Sequence, residues 1–365
     1  MRSRSIALFG GVMVLLAPAF GQTNVPEIPF EVPADYFQYP ADVNFGEITA
    51  VATNSKGHVF VLSRSNNTGN VFGGAATQLF EFDESGRYIR EIGRGVYGFA
   101  FGHGVRIDKD ENIWVVDKGS NMVMKFNQTG HVIMVLGRKE EATDEHVYPD
   151  RSKASVHVDG MFNQPTDIAW DSAGNMFISD GYVNSRVAKY DNTGAWVKSW
   201  GKRGYGPGEF NIPHNIAIDY QNRVYVADRA NGRLQVFDTD GNFLKEIILN
   251  VPAPPGAKPM LGYQTPPAPN APPGSVLTYR PGAHAAICIP PGRSEVMYVG
   301  DLYPARIYKL TLDGKVLGVF GKSGKMPGQI SGIHGLACPN ENTIYTAEFI
   351  NWRVQKFILH PERMK

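Results

Sequence analysis

The sequence has 365 residues, a length that suits one large all-β domain or two smaller domains. Its 36 basic and 35 acidic residues nearly cancel and form no long run of one sign, which argues against a nucleic-acid partner or an anionic membrane surface. The 40 glycines and 25 prolines indicate many turns, and apolar residues show almost no helical period.

The N-terminus reads MRSR and continues into an apolar run at 6–20, with small residues just before Gln22. This pattern is typical of a cleaved secretory signal. The run is short for a membrane span, and no cysteine follows it to carry a lipid. We expect residues 1–21 to be a signal peptide and residues 22–365 to form a single domain that is secreted or periplasmic, with no membrane span.

One unit recurs along the rest of the chain: an apolar strand, a polar turn, and a second strand rich in Val, Ile and aromatic residues. Its copies begin near positions 49, 103, 166, 214, 284 and 334, and the fourth copy reads HNIAIDYQNRVYVAD. A third strand follows each copy, and a fourth follows most of them. Four antiparallel strands in about 45 residues form a propeller blade, so the sequence predicts an all-β, six-bladed β-propeller.

The sixth copy stops at RVQKFILHPERMK without a fourth strand. We expect the extended segment before Gly46 to supply that strand and to close the ring, which would leave no long exposed sheet edge. Two insertions interrupt the repeat, at 138–160 and at the Pro-rich 251–282. They either decorate the surface or wall a substrate cleft.

The two cysteines, Cys288 and Cys338, occupy equivalent places in neighbouring blades. We expect them to pack as buried thiols, and a disulfide is the alternative because an exported protein meets an oxidising compartment.

Histidines open the first strands of alternate blades. In a propeller these strands line the central axis, so His103, His214 and His334 of blades 2, 4 and 6 are expected to converge at one mouth. Three imidazoles and one open position are the ligand set of a catalytic zinc, and another divalent transition metal would also suit them. The alternative is that the repeat favours His at a strand start, which His284 of blade 5 supports.

Two arginines break the repeat. The second strand usually ends in Asp or Glu, and the residue after it varies between blades; it is arginine only in blades 1 and 4, as Arg64 and Arg229. These blades face each other, so the pair predicts a clamp for a substrate carboxylate. Tyr182 lies on the same rim, where nearby cations would help a phenol to act as a base. Four other arginines recur at one repeat position and are interpreted as architecture: Arg186, Arg233, Arg306 and Arg353.

The motifs QPTD, SDGYVNSR, PHNIA and ADRANGR occur together in blades 3 and 4. With them the chain resembles the catalytic domain of peptidyl-α-hydroxyglycine α-amidating lyase, a six-bladed propeller with NHL-type repeats, over roughly residues 46–357. The resemblance implies cleavage of an N-acyl-α-hydroxyglycine into an amide and glyoxylate. It also implies zinc on His103, His214 and His334, catalysis by Tyr182, and substrate binding by Arg64 and Arg229.

The chain departs from the resemblance at several places. Gly335 stands where the family has an aspartate that helps to hold calcium, and the remaining calcium contacts would be carbonyls of Val51 and Val105, so calcium is doubtful. Val183 and Asn163 replace a cysteine pair of the family, so that disulfide is absent.

The sequence therefore predicts a monomeric zinc lyase whose substrate is a small molecule or peptide with a free carboxylate. The alternative is a non-enzymatic exported NHL-repeat propeller that binds a protein or cell-wall ligand. A propeller lactone hydrolase is disfavoured, because those enzymes use a carboxylate-lined calcium centre that the axis of this chain lacks.

Overall fold

The computed structural model describes residues 24–65, 75–139, 157–257 and 284–364. The expected signal peptide lies outside these ranges, as do most of the two insertions. None of the helices among the described residues is long and apolar enough to cross a bilayer.

Turns rich in Gly, Asn and Asp separate short apolar segments that are rich in β-branched residues. These segments pair into antiparallel sheets. A two-residue strand comes first, β1 (Phe30–Glu31). Blade 1 contains β2 (Glu47–Thr53), β3 (Val59–Arg64), β4 (Thr77–Phe82) and β5 (Tyr88–Ile92). Blade 2 contains β6 (Gly102–Ile107), β7 (Ile113–Asp117), β8 (Met122–Phe126) and β9 (Val132–Gly137). Blade 3 contains β10 (Asp167–Trp170), β11 (Met176–Asp180), β12 (Arg186–Tyr190) and β13 (Trp196–Trp200).

The second half of the chain continues the pattern. Blade 4 contains β14 (Pro213–Ile218), β15 (Val224–Asp228), β16 (Arg233–Phe237) and β17 (Phe243–Ile247). Blade 5 contains β18 (His284–Cys288), β19 (Val296–Asp301), β20 (Ile307–Thr311) and β21 (Val316–Phe320). A small parallel pair follows, β22 (Lys322–Ser323) and β23 (Gln329–Ile330). Blade 6 contains β24 (Ile333–Asn340), β25 (Thr343–Glu348) and β26 (Arg353–Leu359). Two short 3₁₀ turns span Arg229–Asn231 and Pro361–Arg363.

The prediction of six blades and of ring closure is confirmed. Strands pair in sequence order within each of blades 1 to 5, and β1 completes blade 6 by pairing with β26. In that antiparallel pair Phe30 lies opposite Leu359 and Glu31 lies opposite Ile358.

The hydrophobic core is divided among the interfaces between blades. Six clusters of buried residues each join two successive blades, and one of them joins blade 6 to blade 1 through Tyr345 and Val59. A cluster between blades 1 and 2 contains Leu62 and Met124. Because every interface of the ring buries apolar surface, the first strands are held around the axis from all sides.

The repeated arginines have the architectural role expected of them. Arg186 pairs with Asp180, Arg233 with Asp228, and Arg353 with Glu348. In each pair the start of the third strand is joined to the end of the second strand. Arg306 instead contacts Glu27, close to the N-terminal strand.

The cysteine prediction is wrong. Cys288 and Cys338 form a disulfide between the first strands of blades 5 and 6. These neighbouring strands bring the two Cα atoms to 6.0 Å, within the range that a disulfide can bridge.

Candidate active site

Three histidines meet on the axis. The ring centroids of His103, His214 and His334 lie 4.7, 4.5 and 4.6 Å apart, which is a nearly equilateral triangle. All three are buried, and one ring nitrogen from each lies within 4.8 Å of the others. The expected threefold arrangement of these side chains is therefore present.

Hydrogen bonds to backbone carbonyls define the orientation of each ring. Nδ1 of His103 lies 2.7 Å from Thr166 O, Nδ1 of His214 lies 2.6 Å from Ala285 O, and Nδ1 of His334 lies 2.7 Å from Thr49 O. A carbonyl oxygen only accepts, so each Nδ1 carries the proton and each Nε2 keeps a lone pair. This is the arrangement in which histidine binds a metal through Nε2.

The three imidazoles are held in the neutral form. Burial lowers the pKa of each ring well below its usual value, and the positive charges of nearby cations lower it further. A neutral ring is the form that can donate a lone pair to a metal ion.

The residues present therefore fit a divalent transition metal. Among the described residues, Nε2 of His214 is buried and has no hydrogen-bond partner, which is costly for a polar atom unless something else satisfies it. The set of three imidazole donors is also one that suits zinc.

Tyr182 lies beside the triangle. Its hydroxyl is 3.3 Å from Nε2 of His103, and Nη1 of Arg229 donates to it at 3.4 Å. Burial raises the pKa of this phenol, but the positive charges of Arg229, Lys118 and Arg64 outweigh burial and bring the pKa down to about 8.

The two predicted arginines, Arg64 and Arg229, both lie near Tyr182, but their contacts differ. Arg229 lies with its guanidinium 5.3 Å from the Tyr182 ring. Arg64 donates from Nε to Gly102 O at 2.8 Å and from Nη1 to a Glu47 carboxylate oxygen at 3.0 Å, and it stacks on Phe101 at 3.6 Å. Arg64 is thus held in place by its own contacts.

The sequence reasoning missed Lys118. Its ammonium lies 3.5 Å from the centre of the Tyr182 ring, so it is a third cation at the site. The signal was available, because Lys118 follows the second strand at the same repeat position as Arg64 and Arg229.

Two glycines allow the strands that carry these side chains to approach one another. A Cβ on Gly181 would lie 2.0 Å from Pro213 O, so only glycine lets the Tyr182 segment pack against the start of β14. A Cβ on Gly104 would lie 2.8 Å from Thr166 O, the carbonyl that accepts from His103.

An ion pair lies below the histidines, deeper in the channel. Nε and Nη2 of Arg106 donate to the two carboxylate oxygens of Asp167 at 2.9 and 2.6 Å. Both residues line a small void of about 10 Å³ with His103, His334 and Gly335. Among the described residues, Asp167 supplies the only carboxylate lining this void, and it is already paired with a guanidinium, so these residues fit a calcium ion poorly.

His284, which opens blade 5, is not part of the triangle. It is fully buried, and neither ring nitrogen has a hydrogen-bond partner within the described residues. Burial lowers its pKa to about 3.

The opposite mouth of the channel is different in character. A cavity of about 700 Å³ opens there, lined by the far ends of the first strands, including Ile107, Ile218 and Ile287. None of the predicted site residues lines it. The candidate site is therefore confined to the histidine end of the channel.

Comparisons with known proteins agree with the fold and point to a class of relatives. Residues 159–257 match the family model described as a 6-bladed β-propeller. The peptidyl-glycine α-amidating monooxygenase of Mus musculus is 27% identical over 78% of this chain and 32% of its own length. The probable peptidyl-α-hydroxyglycine α-amidating lyase of Caenorhabditis elegans is 31% identical over 53% of this chain and 55% of its own length.

Other relatives carry no enzymatic name. The NHL repeat-containing protein 3 of Mus musculus is 32% identical over 53% of this chain and 53% of its own length. The chain spans about a third or less of the first curated relatives that it matches. Among solved structures, a streptogramin B lyase superposes with a TM-score of 0.52 at 14% identity, covering 91% of this chain and 98% of that chain, a likeness of fold. The chain is a six-bladed β-propeller whose sequence relatives include peptidyl-α-hydroxyglycine α-amidating lyases and NHL repeat proteins.

Proposed function

We propose that this protein is a metal-dependent lyase that cleaves an N-acyl-α-hydroxyglycine into an amide and glyoxylate. The observation that carries the proposal is the contact of Tyr182 with both His103 and Arg229 beside a triangle of neutral histidines. The amidating lyases among the relatives support the same reaction class.

The metal proposed here is zinc, or another divalent transition metal, held by Nε2 of His103, His214 and His334. When bound, it would supply a Lewis acid that lowers the pKa of a substrate hydroxyl.

The cations would bind and orient the substrate. A substrate of this class carries a carboxylate on the carbon that bears the hydroxyl, and Arg64 and Arg229 approach the site from opposite blades. Bidentate or paired guanidinium contacts hold a carboxylate in one orientation. Such contacts would direct the hydroxyl toward the histidines and Tyr182.

Tyr182 would move the proton. Its ionised oxygen takes the proton of the α-hydroxyl, the electron pair of that O–H bond forms the second bond of the new carbonyl, and the C–N bond breaks. The electron pair of the C–N bond leaves with the amide nitrogen, which gains the proton that the tyrosine took from the hydroxyl. The products are an amide and glyoxylate, and the reaction consumes neither water nor an oxidant.

The test is incubation of purified, metal-loaded protein with α-hydroxyhippurate. The proposal expects benzamide and glyoxylate in equal amounts. Folded, metal-loaded protein that forms no glyoxylate would instead favour the exported NHL-repeat propeller that binds a protein or cell-wall ligand.

The metal site makes a separate prediction. His103→Ala should remove most of the bound zinc, because two imidazoles hold zinc much less tightly than three. His284→Ala is the matched control, since His284 also opens a first strand but lies outside the triangle. Metal content by elemental analysis checks this. The assignment is wrong if the control variant loses the metal and His103→Ala keeps it.

A further inference from the structure

The Arg106–Asp167 ion pair contacts every strand that carries a histidine of the triangle. Arg106 lies on β6, three residues after His103. Its Nη1 donates to Leu336 O at 3.4 Å, two residues after His334 on β24. One Asp167 carboxylate oxygen accepts from Ile216 N at 3.2 Å, two residues after His214 on β14. One pair of side chains thus joins the three histidine-bearing blades to one another and to blade 3, on which Asp167 lies.

Asp167 is also joined to the histidines through its own backbone. It directly follows Thr166, whose carbonyl oxygen accepts from Nδ1 of His103. Two strand residues span only about 7 Å, so a shift of any of these strands at the ion pair is transmitted to the ring above it.

We infer that Arg106 and Asp167 are positioning residues that hold the three histidine-bearing strands at the spacing that a metal ion requires. The inference rests on the proposed metal site at His103, His214 and His334. It assigns the ion pair no contact with substrate. Its role is to fix the relative positions of β6, β14 and β24, because the backbone pairing within a blade cannot set distances between blades.

The ion pair of Arg223 and Asp219 is a suitable comparison, because it is about equally buried but contacts only one of the three histidine-bearing strands. Arg223 and Asp219 are similarly buried, with side chains 24% and 0% exposed, against 19% and 1% for Arg106 and Asp167. Arg223 and Asp219, however, flank the β14–β15 turn, and the other ion-pair partner of Arg223, Asp313 at 3.7 Å, is exposed and lies in blade 5, which carries no histidine of the triangle. Their loss would weaken this hairpin and leave the spacing of β6, β14 and β24 unchanged.

The experiment compares Arg106→Met with Arg223→Met. Both changes remove a guanidinium, keep an aliphatic stem and leave a buried aspartate, so both should lower the melting temperature. Zinc affinity of the metal-free proteins is then measured by competition with a chromophoric chelator. The expected result is that Arg106→Met binds zinc about tenfold or more weakly, the scale seen when groups outside the ligand set are changed, while Arg223→Met binds as the unchanged protein does.

Several outcomes would overturn the inference. One is unchanged zinc affinity in folded Arg106→Met protein, and another is an equal loss in Arg223→Met. If Arg106→Met does not fold, Asp167→Asn provides the same comparison with a smaller change, and unchanged affinity there is equally contrary. The inference would also be overturned if the protein without substitutions binds no zinc. Protein that binds zinc in the expected order but releases no glyoxylate would contradict the proposed function and leave this inference standing.

Discussion

Tyr182 is the side chain on which a lyase and a binding module differ most. The phenol oxygen lies within reach of His103 and Arg229, so Tyr182→Phe removes the proposed proton acceptor and keeps the ring. Turnover should fall by about 10²-fold or more, the usual contribution of a positioned base. Zinc content and melting temperature should stay nearly constant.

Tyr303 offers a matched control, because it occupies the corresponding repeat position in blade 5. Tyr303→Phe should leave turnover unchanged. Full activity in well-folded Tyr182→Phe protein would remove this tyrosine from the mechanism.

Arg229 tests the carboxylate clamp. Arg229→Ala should weaken use of an acidic substrate by about 2 to 5 kcal/mol, because it removes one partner of a desolvated charge pair. An amide analogue of the same substrate has no carboxylate and should lose much less. The measurement is kcat/KM for both compounds, and equal losses would mean that Arg229 positions some other group. Arg64→Ala should behave alike, although it also leaves the Glu47 carboxylate without its guanidinium.

The site residues differ in how far the sequence could predict them. Arg64 and Arg229 could be found because they stand out against the repeat, and the three histidines because they recur at the start of the first strand in alternate blades, close to the axis. The repeat position also marks Lys118 as a candidate, but its contact with the Tyr182 ring is seen only in the structure, because repeat position does not determine where a long side chain points. The same is true of Arg106, whose partners lie on other blades.

At the scale of strands, the disulfide joins β18 and β24, which are the first strands of neighbouring blades and belong to different sheets. Cys288 ends β18 and Cys338 lies on β24, four residues beyond His334. Cys288→Ser/Cys338→Ser should lower the free energy of unfolding by at most about 4 kcal/mol, from the greater chain entropy of the unfolded state with a loop of this length.

Zinc affinity should be unchanged in that variant, because the bond lies about 13 Å along the strand from the histidine. Denaturant unfolding and chelator competition check the two parts. A large loss of zinc affinity would show that the disulfide also sets the spacing of the ligands.

The strands themselves could be predicted well, because apolar strands separated by polar turns recur in every copy and a turn with Gly recurs in most copies. The prediction that Cys288 and Cys338 are buried thiols is wrong for a physical reason. Equivalent positions in a repeat show that two cysteines have the same environment, but they do not give the distance between neighbouring first strands. That distance depends on how closely blades 5 and 6 pack, a property of side chains across the interface.

At the scale of the whole molecule, buried neutral histidines make stability depend on pH. The pKa of His284 is lowered from its usual 6.5 to about 3 by burial. Between these values the unfolded chain binds a proton that the folded protein does not bind. This contribution to stability is therefore complete above pH 6.5 and is lost as the pH falls, by up to about 1.4 kcal/mol per pH unit.

His284→Thr should reduce the pH dependence, since threonine occupies the corresponding place in blades 1 and 3, as Thr49 and Thr166. The free energy of unfolding of metal-free protein at pH 7 and pH 5 checks this. The exposed His131 supplies a control, and His131→Thr should retain the full difference. An undiminished difference in His284→Thr would contradict the expectation.

The pairing of β1 with β26 imposes an order on folding during synthesis. Within residues 24–364 as described, the strand made first has as its partner the strand made last, so a nascent chain can stack its early blades but cannot finish the circle. Contacts so far apart in sequence form slowly, because a long loop must close before they are gained. Until β26 has formed, there is no edge for β1 to pair with, and β1 has no strand partner. The pairing that covers Phe30–Glu31 in the folded protein therefore forms only after β26 has been made.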